Sequence, residues 1–335
     1  MRRPATLKDV SQAAGLSLIT VSRALRRPET VRAETRDRIQ KTIDQLGYVP
    51  NLTARSLVSR RSNTVGAIVP ILRSTLFSSA VQSLAKVLQA SGIQLLVGAS
   101  ERSSGIEAEL LNAFVGRQAD ALVLTGFTHS APTRERLRRY RGPIVETFNL
   151  RPDPIDLVVG YDNVDAARTL TLQLLAKGYR RIALVGGDFT NNDQAFDRQR
   201  GFFMAMKDAG VAVPPEFVIS VPQPTTMESG RNAIRRLLAL SPRPDLVCFH
   251  SEIPAVGGLL ECLRLGLSIP GDIALAGYGD LEISPNLPVP LTTVHVRSEA
   301  IGRITGELIV RRLRGERIEE PVIDVGFETV MRTSA

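Results

Sequence analysis

From Val65 onward the chain alternates short, unbroken apolar runs with amphipathic stretches. That alternation restricts the fold to parallel sheets covered by helices on both faces. TVGAIVP is followed by a helical pattern carrying Leu76, Ala80, Leu84 and Leu88, then by QLLVGA, a helix near 105–116, ADALVLT, a further helix and GPIVETF. A second series opens at DLVVGY and continues through a helix over 162–177, RIALVGG, a helix over 193–209, FVIS, a helix over 227–240, DLVCFH, a helix over 254–266 and DIALAGY. Two such series predict two doubly wound subdomains, with a ligand site in the crevice beyond the carboxyl ends of the strands.

The 335 residues are too many for one compact unit, and 43% hydrophobic residues supply a sizeable core. The net charge of +8 lies wholly at one end. Residues 1–61 hold 13 Lys and Arg against 5 Asp and Glu, while the remainder balances at 29 of each. A basic segment on a neutral body is the electrostatic footprint of a nucleic-acid-binding module. Cys248 and Cys262 have no metal or disulfide spacing and read as buried thiols of a cytosolic protein. No apolar run is long enough to span a membrane, and Met1-Arg2-Arg3-Pro4 leads into a polar helix, so a cytoplasmic location is expected.

The basic segment also has helical order. Thr6 is an N-cap for a helix with Leu7, Val10 and Ala14, Gly15 permits a tight turn, and Ser17 caps a second helix whose Val21 and Leu25 face inward. Two helices about a glycine turn form a helix-turn-helix, whose second helix enters the major groove. A plain helical hairpin is the alternative, but the basic charge and the polar Thr20, Ser22 and Arg23 argue for DNA. A third helix carries Ile39, Ile43 and Leu46, ends at Gly47 and completes the core. In NLTARSLVSRRSNTVG, Asn51 can cap a short helix with Leu52, Ala54, Leu57 and Val58, flanked by Arg55, Arg60 and Arg61. Such a helix of about ten residues is marginal alone in water.

These sixty residues resemble the LacI–GalR family of bacterial repressors in the turn motif, in LGYVPN (46–51) and in ARSL (54–57). The resemblance implies a headpiece over 1–50, a hinge helix over 51–61 that pairs in a DNA-bound homodimer, and a pseudo-palindromic operator. Leu57 matches the leucine that wedges into the minor groove and kinks the operator. The family's base-discriminating positions are the apolar Leu18 and Ile19 here, which suit thymine methyl groups better than bidentate hydrogen bonds. Arg32 stands where the family usually places a Ser, Thr or Asp cap, so the third helix should start less firmly.

Residues 62–335 resemble the family's periplasmic-binding-protein-like core, with most likeness to gluconate-utilisation repressors in LTGFTH (124–129), VVGYDNVDAAR (158–168), AVGGLLECLRLGL (255–267) and RLRGERIEEPVIDVGF (312–327). Family crossovers would place 62–160 and 292–320 in one subdomain, and 161–291 and 321–335 in the other. Arg198, in DRQRGF, matches the family's basic ligand position, and its guanidinium suits a carboxylate. Ser251-Glu252 replaces the usual Asn-Asp, and Gly279 replaces a common acid, so a sugar acid fits better than a neutral sugar. Glu146 and His129, at strand ends, are candidates for ligand hydroxyls, and Phe77 is a further candidate for the effector site.

No catalytic, cofactor or metal motif stands out. Gly277-Tyr278-Gly279 lacks the third glycine of a dinucleotide fingerprint, and His129, His250 and His295 are dispersed. The sequence thus predicts an operator-binding repressor released by gluconate or a related sugar acid. A corepressor-type regulator is an alternative. Others are a sugar-binding transport protein, which has no use for residues 1–61, and a sugar-modifying enzyme, which needs a nucleophile or cofactor motif.

Overall fold

The computed structural model describes residues 3, 5–26, 28–48, 61–187, 189, 191–222 and 225–335. They belong to two compact units, 1–62 and 63–335.

In the first unit, α1 (Leu7–Ala14), α2 (Leu18–Arg26) and α3 (Ala33–Leu46) pack Val10, Val21, Ala24, Ile39 and Ile43 into a small core, joined at its edge by Leu7, Leu16, Leu25 and Tyr48. The capping box is closed: Asp9 N–H donates to Thr6 Oγ1 at 3.4 Å, and Thr6 N–H donates to the Asp9 carboxylate at 2.7 Å. Gly15 ends α1 at φ 61°, a left-handed conformation in which a side chain would also press on Arg38. Arg32 at the N-cap of α3 makes no side-chain capping bond, as its chemistry dictates. Leu46 corrects the sequence reading. It is 40% exposed because the core closes at Ile43, one turn earlier.

The second unit holds two parallel sheets. The larger runs β11-β5-β4-β3-β1-β2, formed by Val322–Asp324, Leu157–Gly160, Ile144–Thr147, Ala121–Thr125, Thr64–Val69 and Gln94–Ala99. The smaller runs β7-β6-β8-β9, formed by Val218–Val221, Ile182–Gly187, Leu246–Phe249 and Ala274–Ala276. Two expectations change here. DLVVGY closes the first series rather than opening the second, since Val145 aligns with Leu157. Residues 322–324 lie in the first lobe, not the second, because Val322 pairs with Val158. The chain then crosses again, and β12 (Phe327–Val330) pairs antiparallel with β10 (Thr293–Val296).

Helices cover both sheets: α4 (Thr75–Ala90), α5 (Ser104–Gly116), α6 (Ala131–Arg139) and α11 (Ser298–Leu313) on the first, and α7 (Asn163–Ala176), α8 (Asp193–Asp208), α9 (Met227–Leu238) and α10 (Glu252–Arg264) with the second. Helices α4 and α11 approach so closely at Gly302 that a Cβ there would overlap the Ala80 carbonyl oxygen. In each sheet the strand order reverses at its first strand, β1 or β6, which places a crevice beyond the carboxyl ends of the strands.

Candidate functional site

The headpiece and the crevice are separate candidates. In the headpiece, Ser17 Oγ accepts from Thr20 N–H at 3.1 Å and lies 2.8 Å from Thr20 Oγ1, so both hydroxyls help start α2. Val21 and Ala24 face inward, which turns the opposite face of the helix to solvent. Leu18 and Ile19 are 48% and 68% exposed, Arg23 is exposed, and Ser22 is half-buried. Leu18 and Ile19 thus place two large aliphatic side chains on the outward face of α2. Asn51, Arg55, Leu57 and Arg60, with the expected hinge helix, lie outside the described residues.

In the crevice a cavity of about 170 Å³ is lined from the first lobe by Arg73, Phe77, Arg102 and Phe148, and from the second by Arg198, His250, Ser251, Glu252 and Tyr278. Phe77 and Phe148 meet edge to face with centroids 4.9 Å apart. Phe148, at φ 69°, holds a left-handed conformation that an aromatic residue rarely adopts. Arg198 projects from the second turn of α8. Its Nη1 donates to Asn163 Oδ1 at 2.9 Å, and its guanidinium carbon sits 4.6 Å from the centre of the Tyr278 ring. Asn163 is itself held through its amide N–H by the Phe148 carbonyl at 2.9 Å.

Among the described residues, Arg198 Nε, Arg102 Nε, Ser251 Oγ and Tyr278 OH are buried without a protein hydrogen-bond partner. Each such group costs about 1–3 kcal/mol if left unanswered. Four around one crevice mark it as built for a polar ligand. His250 stays neutral, with burial and then the Arg198 charge pushing it down to about 3, and its Nδ1–H donates to the Val185 carbonyl at 3.1 Å. Glu252 contributes less than its position promised. Its oxygens accept from the Ser284 hydroxyl and, at 2.8 Å, from the Thr293 hydroxyl, and burial lifts it to about 7.

Arg198, Ser251, Glu252 and Phe77 thus come together. His129 and Glu146 do not. His129 is buried beside Glu107, with Nδ1 3.0 Å from Glu107 Oε1 and Nε2 3.6 Å from Glu146 Oε1. Burial opposes its charge, but the hydrogen bond to Glu107 and the charges of Glu107 and Glu146 prevail and lift it to about 9. Glu146 also accepts from Ile155 N–H at 2.7 Å. His129 Nε2 and Glu146 thus face each other inside the first lobe, too far apart for a hydrogen bond, and neither residue lines the cavity. Sequence reasoning missed Arg102, Asn163 and Tyr278. Arg102 alone carried a signal, as a basic residue in the loop after a parallel strand.

The lobes are tied beside the cavity. Asn149 Nδ2, after β4, donates to Asp193 at 2.7 Å and Asp197 at 2.8 Å on α8, and Arg151 pairs with Asp197 at 2.8 Å. A broader open groove of about 790 Å³ runs along α4 and the start of α11, and its Asp280 carboxylate is already paired with His295 and Arg332.

Among the described residues no cluster of His, Cys, Asp and Glu could hold a metal ion, and no helix is long and apolar enough to cross a membrane. Both cysteines are buried and unpaired.

Comparison with known proteins agrees with this division. Residues 6–51 match the model for bacterial regulatory proteins of the lacI family, and residues 171–335 match that for a periplasmic binding protein-like domain. The chain is 33% identical to the HTH-type transcriptional regulator GntR of Escherichia coli K12 over 326 residues, which is 97% of each chain. It is 32% identical to the HTH-type transcriptional regulator GntR of Pseudomonas aeruginosa over 329 residues, covering 98% of this chain and 95% of that one. The crystal structure of a LacI-family transcriptional regulator from Silicibacter pomeroyi superposes with a TM-score of 0.91 at 31% identity, covering 99% of both chains.

Proposed function

The chain belongs to the LacI family of bacterial regulatory proteins, a DNA-binding transcriptional regulator rather than an enzyme, and from that premise we propose that it is a homodimeric cytoplasmic repressor released from its operator by gluconate or a related sugar acid. The observation that carries the effector reading is Arg198, a guanidinium fixed by Asn163 and Tyr278 whose buried Nε faces the crevice without a protein partner. A carboxylate supplies the acceptor and the charge that this group requires. Likeness to gluconate-utilisation repressors supports the same ligand class.

On the DNA side, Leu18, Ile19 and Arg23 are the base-facing residues, with Thr6, Ser17, Thr20 and Ser22 setting the helix ends and phosphate contacts. Asn51, Arg55, Leu57 and Arg60 belong to the proposed hinge. Two copies would read a pseudo-palindromic operator, matching protein symmetry to DNA symmetry. Ligand in the crevice sets the relation between the lobes, and a thousandfold change in operator affinity requires the ligand to discriminate the two states by about 4 kcal/mol.

The test is a thermal-shift panel of aldonates, ketoaldonates, their phosphates and neutral sugars, with operator release measured for each ligand that binds. Sugar acids are expected to raise the melting temperature of the wild type but not of Arg198→Gln. A response confined to neutral sugars would overturn the effector reading.

A further inference from the structure

Arg102 lies in the loop between β2 and α5, and the first lobe holds it at φ 61°, a left-handed conformation seldom taken by a long side chain. Its Nε is buried without a protein partner among the described residues, and it lines the same cavity as Arg198. Two guanidiniums from opposite lobes therefore face one space of about 170 Å³, with a third, Arg73, exposed at its edge.

Among the described residues, no hydrogen bond or ion pair links a carboxylate to either guanidinium. Asp193 lies near Arg102 but accepts from Asn149 at 2.7 Å and from the Thr128 hydroxyl at 3.3 Å. Glu252 is engaged by Ser284 and Thr293. Burial, followed by repulsion from Arg198, holds Arg102 down to about 10, while the charge of Asp193 acts in the other direction. A ligand with a single anionic group can answer Arg198 but leaves the buried Nε of Arg102 without an acceptor, an arrangement that costs free energy.

Resting on the reading of the crevice as a sugar-acid site, we propose that the effector carries two anionic groups on one polyol chain, a carboxylate at Arg198 and a phosphate monoester or second carboxylate at Arg102. Such a ligand joins the lobes through both guanidiniums, and its hydroxyls meet Ser251 Oγ and Tyr278 OH between them. Arg102 then sets specificity, separating the doubly charged acid from its singly charged parent.

The test is calorimetric titration of the full chain with gluconate, 6-phosphogluconate, glucarate and glucose, repeated on Arg102→Gln, Arg102→Lys and Arg198→Gln. One of the two dianions should bind about tenfold or more tightly than gluconate, matching one added charge-assisted hydrogen bond. That margin, taken as the ratio of dianion to gluconate affinity within each variant, should vanish in Arg102→Gln and survive in part in Arg102→Lys. The dianion that binds identifies the second group as phosphate or carboxylate. A melting curve for each variant separates lost recognition from lost folding, and Arg102→Lys serves if Arg102→Gln fails to fold. Gluconate binding as tightly as both dianions, or a margin that persists in Arg102→Gln, overturns this proposal and leaves the sugar-acid reading standing. Binding of glucose alone, or of none of the four, overturns both.

Discussion

Arg151, from the loop after β4, reaches across the crevice and pairs with the buried Asp197 of α8 at 2.8 Å. Asp197 also accepts from Asn149 at 2.8 Å and pairs with Arg200 at 3.0 Å, so one carboxylate gathers three donors, two of them from the opposite lobe. Asp197→Asn removes the charge and leaves those donors poorly matched. It should lower stability by about 1–3 kcal/mol, read from a denaturant melt. Sugar-acid affinity should fall with it, because the arrangement of the lobes that forms the cavity loses this restraint. Unchanged stability would show that the tie carries no net energy.

The exposed Ile19 separates DNA recognition from folding. At 68% exposure it contributes little to the core, so Ile19→Ser should leave the melting temperature within about 1 °C, the effect of a surface change worth a few tenths of a kcal/mol. Operator affinity should drop and base preference should change at the contacted pair. Arg23→Ala should cost about 1–3 kcal/mol of operator binding if its guanidinium reads a base. Gel-shift titration against operator and scrambled DNA distinguishes base reading from phosphate contact, which would weaken both DNAs alike.

Leu57 tests the mechanism rather than the affinity. As a minor-groove wedge it would open one base step, at a cost of a few kcal/mol that the bent duplex returns through added contacts. Leu57→Ala should then reduce operator bending and specific binding while sparing nonspecific binding and effector affinity. Wild-type bending by a stable variant would eliminate the wedge.

A helix start offers a gain of stability. Arg32 caps α3 with no side-chain hydrogen bond, so Arg32→Asp should supply the missing acceptor and stabilise the headpiece by about 0.5–2 kcal/mol. The mirror experiment, Thr6→Ala, breaks the closed box at α1 and should cost about 1 kcal/mol. Melting curves of the isolated headpiece and of the full chain read both effects.

Stability should fall on either side of neutral pH, for two different histidines. His129 is lifted to about 9 in the fold, so its contribution is complete below its unfolded value near 6.5 and disappears as pH rises through 9. His250 is pushed down to about 3, so its contribution is present above 6.5 and is lost as pH falls toward 3. His129→Gln should flatten the alkaline limb of a stability–pH curve and leave the acid limb from His250 unchanged. An unaltered alkaline limb would place the loss elsewhere.

Short-range physics made much of this protein readable from its residues in order. Thr6 and Asp9, three positions apart, close a capping box wherever the chain lies, and Gly15 ends the helix because its own backbone permits the turn. Apolar runs such as RIALVGG declare a strand buried on both faces for the same reason. Tertiary structure decided the rest. Leu46 keeps the helical period of Ile39 and Ile43, yet among the described residues it stays 40% exposed, and burial depends on the partner rather than the period. Residues 322–324 carry a strand pattern that fits either sheet, and the vacant side of β5 selected the first. His129 and Glu146 promised ligand contacts but spend their charges on Glu107 and each other, while Arg102 and Arg198, far apart in the chain, share one cavity. Which charges meet in a low-dielectric interior depends on how the strands and helices are folded against one another, and no local spacing records it.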